Sequence, residues 1–185
     1  HELHGAFGFS KYVHSVVPSL IDFIGIELTL LRSNGKTNVI KLHQPSYCKF
    51  IIEAYKKETQ QSTLKHISTT MKANKDPTDE LDDSQEGYFE YTCSEHVGKL
   101  WWLVRGTRLD AAFATSFPAR RVTRWTKLND LQLDRIYRYL DSTSDLGLVY
   151  VVHVADLDSA RCWGNADTDH NGDALTTKST SGWQA

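Results

Sequence analysis

The residues best suited to chemistry lie near the end of the chain, in Asp167-x-Asp169-x-Asn171-Gly172-Asp173. Carboxylates and an amide at alternate positions, with glycine at the sixth place, match the first half of a calcium-binding EF-hand loop. The twelfth place, however, is Lys178, where such a loop needs a bidentate glutamate, and the incoming segment reads as strand rather than helix. Two readings stay open here: a cation site at Asp167, Asp169 and Asp173, or a polar turn after a strand. A second candidate is cationic. From Arg105 to Lys127 six bases (Arg105, Arg108, Arg120, Arg121, Arg124, Lys127) face one acid, Asp110, with Trp125 interleaved. Such a stretch suits phosphate backbones and stacked bases. The competing reading pairs it with the acidic run of the same chain, where Asp76, Asp79, Glu80, Asp82, Asp83, Glu86 and Glu90 occur with no base between them.

Other chemistries fail on spacing. The eight histidines are scattered, with no H-E-x-x-H or comparable ligand pattern. No serine or cysteine sits in a nucleophile elbow, and no G-x-x-x-x-G-K-[ST] phosphate loop occurs.

The elements that must position these residues belong to a chain of 185 residues, long enough for one ordinary domain or two small ones. A net charge of −2 gives no global attraction to nucleic acid or anionic membrane, so any such binding must be local. Cys48, Cys93 and Cys162 are odd in number and widely spaced, which points to a reducing, intracellular compartment. No apolar run reaches the roughly 20 residues of a spanning helix. The chain begins at His1 rather than methionine, so a processed product or a fragment is expected.

Periodicity supplies the elements. Residues 1–18 carry a weak amphipathic signal closed by Pro18. SLIDFIGIELTLL reads as one strand, followed by an Asn34-Gly35 type I′ turn and the strand TNVIKL. Pro45 opens a helix whose stripe is Tyr47, Phe50, Ile51, Ala54 and Tyr55. Residues 59–95 read as a long acidic, solvated loop. Val97, Leu100, Trp101 and Val104 share the next helical face, a further helix runs from Asp110 to about Phe117, and Leu133, Ile136, Tyr137 and Leu140 form a third stripe. LGLVYVVHV reads as a buried strand and SARCWGNAD as another.

In this order the segments resemble the Pol polyprotein of copia-type retrotransposons, from the C-terminal part of the reverse transcriptase into the start of its RNase H domain. FIGIEL (23–28) and IKLHQPSY (40–47) resemble FLGIE and LSQ-x-x-Y, and Val97-Gly98 through TRLDAAFA (107–114) resembles VGSLLYLA…TRPDIAFA. RIYRYLDSTSDLGLVY (135–150) resembles RILRYLKGTSDLGLVY, and DTDHNGDALTTKSTSGW (167–183) resembles DADWAGD…RRSTSGY. Departures include Leu109 for proline, Asp141-Ser142 for lysine-glycine, His170 for tryptophan and Asp134 for lysine.

The resemblance implies an α+β fold. Residues 1–145 would be a thumb/connection-like region with an N-terminal β-hairpin and helices, and 146–185 the first strands of an incomplete RNase H-like fold. It also implies a deficit. Two-metal phosphate chemistry needs several carboxylates around ions about 4 Å apart. The family's polymerase carboxylates lie in a Tyr-x-Asp-Asp segment that this chain lacks, and Asp167 alone matches the RNase H set. Mg²⁺ would be bound only within a complete RNase H. The expectation is therefore a non-catalytic accessory or structural subunit of a larger assembly, with protein partners. The alternatives are a nucleic-acid-binding module, or a fragment of an active enzyme whose catalytic segments lie outside this chain.

Overall fold

In the computed structural model of the chain, residues 20–71, 85–159, 165–169 and 180–184 are described. The signal in 1–18, most of the acidic run, Cys162 and Asp173 fall outside them. The architecture is mixed α+β, in agreement with the expected class. Strand β1 (Leu20–Phe23) leads to β2 (Ile26–Ser33), β3 (Thr37–His43) and helix α1 (Pro45–Glu58). Helix α2 (Cys93–Gly106) follows, then a 3₁₀ turn (Leu109–Ala111), α3 (Ala112–Ala119), α4 (Lys127–Ser142) and β4 (Gly147–His153). A separate hairpin joins β5 (Asn165–Asp169) to β6 (Thr180–Gln184).

The first four strands form one antiparallel sheet in the order β1-β2-β3-β4. Its first turn is a finding. The sequence suggested one strand from 19 to 31, but the chain reverses at Ile24-Gly25, with φ of 55° and 75°, and Phe23 pairs with Ile26. Positive φ at both central residues is the type I′ signature. That geometry was expected at Asn34-Gly35, where only Gly35 is left-handed. There the Asn34 side chain accepts the amides of Lys36 and Thr37 at 3.1 and 2.7 Å, closing a three-residue loop instead. Ile24 is β-branched, so this turn carries backbone strain.

The helices build the core. Leu133, Ile136, Tyr137 and Leu140 of α4 are fully buried, as their spacing predicts. Burial of each contributes about 2 kcal/mol. Opposite them lie Cys48, Ile51, Ile52 and Tyr55 of α1, and Cys93, Val97, Leu100 and Leu103 of α2. The α1 stripe is thus rotated: Phe50 faces solvent and Ile52 does not. α3 also runs to Ala119, two residues beyond the expected stop at Phe117, with Pro118 inside its last turn. The end of the expected acidic loop is only partly solvated, with Tyr88 and Tyr91 exposed. Phe89 is buried in the core, and Glu86 bridges to Thr126. The start of α1 and the end of α2 meet closely, because Gln44 Oε1 accepts the Thr107 hydroxyl at 3.1 Å and a Cβ on Gly106 would lie 2.1 Å from that oxygen.

The sheet stands apart from this core. No residue of β2, β3 or β4 is fully buried, and the contiguous core cluster contains none of them. The sequence predicts a buried strand in LGLVYVVHV, but among the described residues β4 is an edge strand in which Val149, Tyr150 and Val151 are 57, 48 and 60% exposed. A continuous apolar run can mean burial or an uncovered edge, and periodicity alone does not separate them. β4 lies beyond the boundary expected at residue 145, yet it pairs with β3 from Gly147↔His43 to His153↔Thr37.

Candidate functional site

Three places bring chemically capable residues together. The first is a cleft of about 450 Å³ where the end of α1 meets the 85–92 segment and α4. Glu58, Asp130, Asp134, Tyr55 and Tyr88 line it. Each carboxylate already has internal donors. Asp130 accepts the amides of Tyr88 and Phe89 at 2.6 and 3.2 Å and the Trp125 indole N–H at 2.7 Å. Asp134 accepts the Tyr55 hydroxyl at 2.9 Å and pairs with Arg138 one turn on. Glu58 accepts the Thr92 hydroxyl at 2.8 Å and faces His96 Nε2 at 3.0 Å.

Behind the cleft, His96 Nδ1 lies 2.9 Å from the Tyr137 hydroxyl. One neutral tautomer satisfies both contacts: Nε2–H donates to Glu58, and Nδ1 accepts from Tyr137. Burial holds the His96 pKa below its ordinary value, against the opposing pull of Glu58. Burial likewise pushes the Tyr137 hydroxyl up, and Tyr55 stacks on its ring at 4.2 Å. The relay ends on a buried phenol, so its role is to hold α1, α2 and α4 together. His96 belongs to no ligand or catalytic spacing among the eight histidines. The available signal was its place on the stripe of Cys93, Leu100 and Leu103, where a polar residue must find partners.

The second place is the basic stretch, and the fold divides it. Arg108 is 1% exposed. Its guanidinium holds both Asp110 carboxylate oxygens at 2.9 and 2.8 Å and both the carbonyl and hydroxyl oxygens of Thr143 at 2.9 and 2.7 Å. Tyr139 donates to the same Asp110 at 2.6 Å. Burial alone would raise the Asp110 pKa, but its bonds to Arg108 and Tyr139 hold it below the usual carboxylate value. Trp125 is 3% exposed and bonded to Asp130. Neither side chain is free to meet a phosphate or a base. Arg105 is exposed and sits over the Trp101 ring at 5.9 Å, at the C-terminal end of α2. Arg120, Arg121, Arg124 and Lys127 lie at the opposite end, since Cys93 Sγ contacts the Val122 carbonyl at 3.4 Å. Twelve helical residues separate those ends, roughly 18 Å. The seven expected residues therefore do not form one surface. The end of the acidic segment does meet the basic loop, through the Lys127 amide on the Gln85 carbonyl at 3.0 Å.

Of the expected cation site, Asp167 and Asp169 lie on β5, where they pair in register with Gly182 and Thr180, and Asp173 lies outside the described residues. Among the described residues no group of three or more His, Cys, Asp or Glu side chains could hold a metal ion. Burial raises the Cys48 thiol to about 11, far from a reactive thiolate.

The third place is the sheet. Its register puts Leu28, Leu30, Ile40, Leu42, Leu148, Tyr150 and Val152 on one face, all at best half-buried. The opposite face mixes Val39 and the exposed Val149 and Val151 with Glu27, Lys41 and a Thr29–His43 hydrogen bond of 2.9 Å. Among the described residues the outer edge of β4 pairs with no strand.

The chain matches no known family profile, no curated protein and no solved structure. No described helix is long and apolar enough to cross a membrane.

Proposed function

We propose that the chain is a non-catalytic, retroelement-derived protein that works by surface contact, as an accessory or structural subunit of a larger assembly. The ancestry rests on the copia-like segments and their order. It carries with it the thumb/connection-like reading of 1–145 and the RNase H-like reading of 146–185. The mode of action rests on one observation. The described helices complete their own core, while a four-stranded sheet keeps an apolar face and an uncharged edge strand outside it. Soluble proteins usually blunt such edges with charge, proline or a covering element, and an edge left unblunted recruits another chain. Nucleic-acid binding is the less favoured reading, because Arg108 and Trp125 are engaged in the fold.

The test is native mass in an extract of cells expressing the chain. It is expected to migrate in a complex heavier than a dimer of the 21.0 kDa protein. Migration as free chain at physiological expression would overturn the assembly role. Cleavage of RNA–DNA hybrid, or primer extension, by the purified chain with Mg²⁺ would overturn its non-catalytic part.

A further inference from the structure

We infer that the β4 edge pairs with the β4 edge of a second copy, in a reversible antiparallel dimer centred on Tyr150. This inference rests on the surface-contact reading above and names the partner of the sheet's edge, the apolar face being left for the other members of the assembly. From Leu146 to Val154 the chain reads Leu-Gly-Leu-Val-Tyr-Val-Val-His-Val, without one formally charged residue at neutral pH. An edge that selects a different protein needs charge or shape to specify it, and this one has no charge to offer. It does complement itself.

The register follows from symmetry. When two identical strands pair antiparallel within one continuous sheet, directly opposed residues must point to the same face. The two-fold axis therefore passes through a residue, not between residues. β4 spans Gly147–His153, and only an axis at Tyr150 engages its whole length. Val149 then lies opposite the second copy's Val151, Leu148 opposite Val152, and Tyr150 opposite Tyr150. β-branched and aromatic pairs of this kind are the favourable ones across strands, and no like charges oppose each other. The contact is isologous and closes as a dimer. It also joins the two apolar faces, Leu28, Ile40, Leu42 and Leu148 of each copy, into one eight-stranded surface.

Size decides the strength. Seven residues at about 3.4 Å give an edge roughly 24 Å long, and at about 10 Å of sheet thickness this is on the order of 240 Å² per copy. A stable interface takes about 800 Å² per partner. At under a third of that area the dimer is a weak, reversible equilibrium, not a permanent one.

Sedimentation velocity on the full chain, from 1 to 300 μM, tests this with two double variants. Val149→Glu/Val151→Glu sets glutamate against glutamate twice across the axis, and self-association is expected to weaken at least about tenfold. Val149→Glu/Val151→Lys sets glutamate against lysine twice in the same register. It is expected to dimerise again, more weakly as salt rises. In both variants the glutamate replacing Val149 lies beside Lys41 of its own chain, and circular dichroism reports whether the fold is kept. A parent that stays monomeric at 300 μM overturns the inference, as does equal behaviour of the two variants. A heavy complex in extracts with a monomeric purified chain would sink the self-pairing and leave the assembly role standing.

Discussion

Replacing Arg108 by alanine tests whether that cation belongs to the fold or to a binding surface. In the folded chain its guanidinium makes four hydrogen bonds, two to Asp110 and two to Thr143, and stacks 5.4 Å from the Tyr139 ring. These bonds tie the end of α2 to the end of α4, across 35 residues of sequence. Hydrogen bonds to charged groups contribute about 1.5–3 kcal/mol each. The Asp110 pair must be discounted because 37% of that side chain is exposed. The Thr143 pair is better shielded, and removal of the side chain also leaves a void. The expected cost is about 3 kcal/mol, within the range for breaking a buried ion pair from one side. For a chain of this size that is roughly 6–12 °C in Tm. Urea titration followed by far-UV circular dichroism reads it directly. Arg108→Lys should recover less than half, since an ammonium cannot form the planar fork. Were Arg108→Ala to leave stability within about 0.5 kcal/mol of the parent, the assignment of this arginine to the fold would be wrong.

The other expectations concern separate parts of the molecule. Ile24→Asn should stabilise the protein by about 1 kcal/mol, seen as a higher midpoint in urea, because asparagine tolerates the left-handed turn that isoleucine occupies under strain. Gly106→Ala should lower the urea midpoint, because the added methyl would overlap Gln44 and disturb its bond to Thr107. The His96 pKa is lowered in the folded chain, so its neutral form supports the fold above the unfolded value near 6.5. That contribution is lost as pH falls through 6.5 toward the folded pKa, and His96→Gln should flatten the fall in stability over this window. Trp125→Phe should cost about 1–2 kcal/mol by removing the indole bond to Asp130, with no change in affinity for RNA–DNA hybrid at low salt; a selective loss of that affinity would reinstate the basic stretch as a binding surface.

Local pattern carried much of the architecture. The i, i+3, i+4, i+7 spacing of Leu133, Ile136, Tyr137 and Leu140 placed α4 and its buried face correctly, because helical periodicity is a property of neighbours in sequence. Pro45 marked the first residue of α1 for the same reason. Turn position was less legible. Asn34-Gly35 does turn the chain, with only Gly35 left-handed, while the pairing of β1 with β2 holds a second, unsignalled turn at Ile24-Gly25 at a local cost that strand pairing outweighs. Burial of polar side chains was scarcely legible, His96 alone being marked by its place on an apolar helical stripe. Arg108 looks in sequence like one more base in a cationic stretch, and only the arrival of Thr143 from the end of α4 makes it an interior residue. Trp125 is withdrawn from solvent by Asp130 and the folded 85–89 segment, and His96 is matched to Glu58 and Tyr137 from two other helices. β4 shows the same limit in reverse. Its composition specified a strand, but whether its apolar side chains are covered depends on which elements fold against it, and that is decided by packing between residues far apart in the chain.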